Sequence, residues 1–115
     1  MNERMTQMVI NTVGALSGNY VFYAKLPVGM TLTHVSAVGS NAHDATVMIG
    51  DSGDTDQAIG ATAIGDSGVP AEIEFADLSQ AHFVAGDVLV VTVDYDGSGG
   101  TAIQNLQIVL TFLVG

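Results

Sequence analysis

This sequence predicts an all-β fold: a single antiparallel β-sandwich, jelly-roll-like, of about eight strands. Three observations predict it. Apolar and polar residues alternate at a period of two along several short runs. No stretch of about eleven residues holds the 3.6-residue period of an amphipathic helix. Clusters of turn-forming residues recur about every ten residues, the rhythm of short strands joined by tight connections.

The elements follow in order. Thr6 to Val13 is a first strand, separated by the Leu16-Ser-Gly-Asn19 turn from a stronger one at Asn19–Leu26, where Tyr20, Phe22, Ala24 and Leu26 share a face. Pro27-Val-Gly29 ends that run, because proline removes a donor and glycine frees φ. Met30 to Val38 extends again, and Gly39-Ser-Asn-Ala42 breaks it. Ala45 to Ile49 is short, residues 57–65 are almost wholly Ala, Ile, Gly and Thr, and in Val69–Phe75 Ala71, Ile73 and Phe75 oppose Glu72 and Glu74. Only Asp77 to Ala85 looks helical, for one turn, with Asp77 as N-cap. The last thirty residues read as a β-hairpin: a β-branched run Asp87–Tyr95, a loop Asp96-Gly-Ser-Gly-Gly100, and Thr101–Val114. Leu106, Ile108, Leu110, Phe112 and Val114 form one apolar face there. The other face mixes Asn105, Gln107 and Thr111 with Val109 and Leu113. Leu89, Val91, Ile108, Leu110 and Phe112 are the expected core. Residues 1–18 form an N-terminal arm that could supply the first strand, and 19–115 form the sandwich domain.

Composition bounds the function. A chain of 115 residues is one domain, able to bury roughly two thirds of its unfolded surface. Cysteine is absent, which removes disulfides and Cys-based metal sites. The start, Met1-Asn-Glu-Arg-Met-Thr-Gln, lacks a basic segment followed by an apolar one, so no signal peptide is expected, and no apolar run approaches the roughly 18 residues of a membrane span. Arg4 and Lys25 face twelve acids, for a formal charge of -10. Phosphate backbones and anionic membranes would be repelled, so neither nucleic acid nor membrane is an expected partner. Yet only 12% of residues are charged and 48% are hydrophobic. Either the acids simply keep an apolar β protein soluble, or neighbouring subunits cover much of the surface.

Several constellations invite chemistry. Ile49-Gly-Asp-Ser-Gly53 recurs as Ile64-Gly-Asp-Ser-Gly68. Gly-Asp-Ser-Gly also surrounds the nucleophile of trypsin-like serine proteases, which would make Ser52 or Ser67 a nucleophile. Such enzymes are larger and recruit His and Asp from separate segments, whereas His34, His43 and His82 fit no signature here. Turn formation is the simpler account. Asp51, Asp54 and Asp56 crowd one loop, and Asp94-Tyr-Asp96-Gly resembles the opening of a Ca²⁺ loop, but the twelfth position holds Asn105 where an EF-hand needs Glu. Acidic, glycine-rich turns in water explain both loops. The histidines match no local metal motif. Tyr20, Tyr23 and Tyr95 could line a sugar-binding groove if they converge.

The order of Leu26-Pro-Val-Gly-Met-Thr-Leu-Thr-His-Val-Ser-Ala37, Ala45-Thr-Val-Met-Ile-Gly50, Phe83-Val-Ala-Gly-Asp-Val-Leu-Val-Val-Thr-Val93 and Leu106-Gln-Ile-Val-Leu110 resembles a β-sandwich module of tailed-phage structural proteins. That module occurs as capsid decoration or cement proteins and in head fibres and tail appendages; Gly-Asp before an apolar strand is shared with jelly rolls of the tumour-necrosis-factor and C1q type. The resemblance spans residues 19–113. It implies a structural virion protein, made in the host cytoplasm and lodged on the capsid surface, most like a decoration protein that stabilises a phage head by binding between capsid subunits. The implied partners are the major capsid protein and further copies of the chain, a trimer being favoured because a lattice offers local threefold axes. No enzymatic activity, catalytic residue, cofactor or metal comes with it. Two other functions remain open. One is a receptor- or carbohydrate-binding module of a tail or head fibre, if the three tyrosines cluster. The other is a hydrolase, if a histidine reaches Ser52 or Ser67.

Overall fold

Alternation of side chains across a strand forces each apolar run to bury one face, and two sheets facing each other satisfy all the runs at once. The computed structural model describes residues 4–74 and 81–114. Its strands are β1 (Arg4–Asn11), β2 (Tyr20–Lys25), β3 (Met30–Val38), β4 (Thr46–Asp51), β5 (Ile59–Ala63), β6 (Ala71–Glu74), β7 (His82–Phe83), β8 (Val88–Asp94) and β9 (Gln107–Val114). The first sheet runs β1-β9-β3-β6, with β7 also on β3, and the second runs β2-β8-β4-β5. All strand pairs are antiparallel. The chain changes sheet at every connection except β4–β5 and β6–β7, which gives the wrapped, jelly-roll-like path.

The core lies between the sheets. Leu32, Val35, Ile108, Leu110 and Phe112 of the first sheet meet Val47, Ile49, Leu89, Val91 and Val93 of the second, and all of these are fully buried. Leu26, Ile103 and Leu106 close its ends, while Phe22 and Ala24 pack against it from β2. β3 keeps its inner face apolar by a bulge. Its register against β9 shifts between Leu32 and His34, so Met30 and Leu32 before the shift and Val35 and Ala37 after it all point inward. The Thr33 hydroxyl at the bulge donates to the Thr111 carbonyl.

Three expectations are corrected. β8 and β9 do not form a hairpin: β8 pairs with β2 and β4, and β9 with β1 and β3, in opposite sheets. The connection, residues 95–106, is too long for a tight hairpin and crosses between the sheets. It is itself anchored, since Ile103 and Leu106 are buried and Gln104 bridges to Ala15. Its positive φ angles fall on Asp96 and Asn105, not on the glycines. The helical turn at Asp77–Ala85 falls partly outside the described residues, 77–80 among them. Where it is described, His82–Phe83 is a strand on Met30 and Thr31. Phe83 is fully buried, its ring edge-on to Phe112 at 6.5 Å, and burial there outweighs the weak local helix signal. In the turn that follows, Asp87 accepts from the Val84 amide. The first strand begins two residues earlier than expected, at Arg4, and ends at Asn11.

Leu110 sits at the centre of β9, fully buried and flanked by Met8 and Val35. Leu110→Ala should cost about 2–5 kcal/mol through lost transfer energy and the cavity left behind. Chemical denaturation measures this; a loss below about 0.5 kcal/mol would mean the inner face is not packed as described.

Candidate interaction surface

The most distinctive surface follows from where the acids are not. None of the twelve lies on β1, β3 or β9. Pairing places these strands side by side, so their outward residues form four rows: Met5–Leu113–Thr31, Gln7–Thr111–His34, Val9–Val109–Ser36 and Asn11–Gln107–Val38. Met5 is 63% exposed and Val9 52%, while Val109 and Leu113 are half-buried. Gln7 donates to the Thr111 hydroxyl across the middle. Glu72 of β6 stands at the margin, where its carboxylate meets His34 Nε2 at 3.2 Å.

This face ends in a cleft of about 520 Å3, lined among others by Asn11, Val38, Ser40, Gly68, Asn105 and Gln107, with no charged residue. Its rim is held by local hydrogen bonds. Asn105, at φ 51°, accepts from the Gly14 amide through Oδ1 and donates through Nδ2 to the Ser40 hydroxyl. Among the described residues, the side-chain amides of Asn11 and Gln107 make no hydrogen bond within the chain, and the buried Thr12 hydroxyl has no partner.

The second sheet is the opposite case. Its outer face carries Val21, Tyr23 and Lys25 of β2, but the loop after β4 folds back over it and brings Asp54 and Asp56 near Asp51 at the strand's end. A Cβ at Gly50 would collide with the Asp54 carbonyl, and Val90 beside Gly50 is buried although it points outward. Asp51 Oδ1 accepts from the amides of Gly53 and Asp54, and a shared hydrogen bond with Asp56 raises the Asp54 carboxyl above its ordinary value.

The repeated pentapeptide is a strand-end device. Ile49 and Ile64 are core residues, and a Cβ at Gly65 would strike the Val69 carbonyl just as one at Gly50 would strike that of Asp54. Ser52 and Ser67 are exposed, and Ser67 takes φ 52° in its turn. The histidines are engaged elsewhere: His34 with Glu72, His82 Nδ1 with the Thr31 hydroxyl at 2.9 Å, and His43 through both ring nitrogens. His43 Nδ1 accepts from the Ala45 amide and Nε2 donates to the Gly65 carbonyl, an arrangement of the neutral ring. Neither serine is brought to a histidine. Nor do the tyrosines converge. Tyr20 and Tyr95 pack on the core, while Tyr23, on the other side of β2, is 65% exposed. Among the described residues no group of three or more His, Cys, Asp or Glu side chains is placed to hold a metal, and no helix is long and apolar enough to cross a membrane. The neutral sheet face was half legible in the sequence, through Val109 and Leu113; its continuation onto Met5 and Val9 needed the β1–β9 register.

No family model matches the sequence, and no curated protein does. A chain of the solved structure described as "Cyanophage Pam1 capsid asymmetric unit" is similar in fold, with a TM-score of 0.60 over 99% of this chain and 86% of that one, at 12% identity. At that identity the likeness is one of fold.

The first glycine and the serine of each copy of the repeat should behave oppositely. Gly50→Ala and Gly65→Ala should each cost about 1–3 kcal/mol, because a Cβ there meets loop backbone. Ser52→Ala and Ser67→Ala should stay within about 0.5 kcal/mol in thermal denaturation. Equal effects of the two pairs would contradict the strand-end account.

Proposed function

We propose that this chain is a structural virion protein, a decoration or cement protein that binds between capsid subunits of a phage head and stabilises the shell. The observation that carries the reading is the whole-length likeness of fold to a chain of a phage capsid asymmetric unit. The one-sided surface supports it. The chain carries a charge of -10, its described acids sit in loops, at strand ends and on the edge strand β6, and β1, β9 and β3 present a neutral, partly apolar face. Such a face can be buried against protein at little desolvation cost, while the acidic side stays in water.

The stabilising mechanism is linkage. A protein that binds the assembled shell and not its separated subunits raises the free energy needed to part them. Further copies of the chain belong to the same reading, as a trimer on local threefold axes. No catalysis, cofactor or metal is part of it. The receptor- or carbohydrate-binding alternative loses its main support, because Tyr20 and Tyr23 point to opposite faces of β2.

Thermal release of the genome from particles stripped of this chain and then re-decorated tests the proposal. Re-decorated particles should release at higher temperature than stripped ones. A chain that neither rebinds nor changes the release temperature would contradict the decoration role.

A further inference from the structure

We infer that the neutral outer face of β1, β9 and β3 is the surface through which copies of this chain associate, with Met5, Val9, Val109 and Leu113 at its centre. The inference rests on the oligomeric part of the proposed function but replaces its trimer with a face-to-face pair, since like faces meeting make a twofold, and it stands or falls separately from capsid binding.

Charge selects the occupant. Two molecules of charge -10 repel, and contacts made through the other sheet would bring together the loops carrying Asp51, Asp54 and Asp56. The β1–β9–β3 face carries no acid, so there a second copy meets an equally neutral, equally apolar surface. A cationic partner would be drawn to the acidic side instead. The free edge of the same sheet points the same way. Among the described residues β1 leaves one side of an eight-residue strand unpaired, without proline or bulge, and its one charge, Arg4, stands at the first residue, away from Val9. Apolar face and open edge adjoin, and one neighbouring copy can cover both.

Size sets the strength. Three strands at about 4.8 Å spacing and eight residues at about 3.4 Å rise make a face of about 400 Å2 in plan. A stable interface takes about 800 Å2 per partner. Association of the free chain should therefore be weak and concentration-dependent, and firm only where a lattice holds several copies together.

Sedimentation of the full chain across concentration and salt, with circular dichroism as the control for folding, tests this. The wild type should associate as concentration rises, more strongly in added salt because screening relieves repulsion. Val9→Glu, at an exposed site, should weaken association at least tenfold, whereas Tyr23→Glu on the other sheet should leave it unchanged. The absence of cysteine permits a second readout: oxidised Val9→Cys should form covalent pairs, and Tyr23→Cys should not. A chain that stays monomeric throughout overturns the inference, as does loss of association in Tyr23→Glu with Val9→Glu unaffected. A monomer that binds particles through Val9 also overturns it and assigns the face to the shell. Association without particle binding upholds the inference and removes the decoration role.

Discussion

The position of β9 between β1 and β3 is the constraint on which the rest of the structure depends. Its inward residues Ile108, Leu110 and Phe112 are fully buried, β1 follows it residue by residue, and β3 does so on either side of the bulge at Thr33. Because strand side chains alternate, a slip of one residue would send this row outward and expose Val109 and Leu113 to the core instead. Register is therefore fixed from the inside. The outer surface is its by-product: once Leu110 is buried, Val109 must stand beside Val9, and Leu113 beside Met5. The neutral face is thus built by the same pairing that builds the core.

The two sheets divide the work of the surface. On the second sheet, glycine at position 50 lets a loop lie flat on the strand, burying Val90 and presenting aspartates to water. On the first, no loop among the described residues covers β1 and β9, and strand residues such as Met5 and Val9 are exposed. Acidic loops and neutral strand residues so occupy different sides of a small sandwich. The proposed decoration role would use this separation, keeping the acids in water while the neutral face is buried.

Much of this was legible in the residues. Met30–Val38 could be read as a strand from its bounds, set by Pro27-Val-Gly29 and Gly39, and the inward row Leu106–Phe112 from alternation alone. The hairpin was not. Two adjacent β-branched runs with a glycine-rich link look the same whether they pair or face each other across a core, and only the length of 95–106 and its buried Ile103 separate the cases. The helical turn expected over Asp77–Ala85 gives way at His82–Phe83 for a related reason: Phe83, in β7, pairs with Met30 of β3 and meets Phe112, contacts distant in sequence. Of the candidate site residues, Ser52 and Ser67 proved to be turn positions. Their motif was repeated because two strands end in the same way, with a glycine under a returning loop.

Electron cryomicroscopy of particles carrying this chain tests the central claim most directly. The account predicts density for the sandwich on the outside of the shell, over joints between capsid subunits. The β1–β9–β3 face should be covered by protein, and the loops with Asp51, Asp54 and Asp56 should point to solvent. Particles that lack the chain, or that hold it with the acidic loops buried and Met5 and Val9 facing water, would contradict the account.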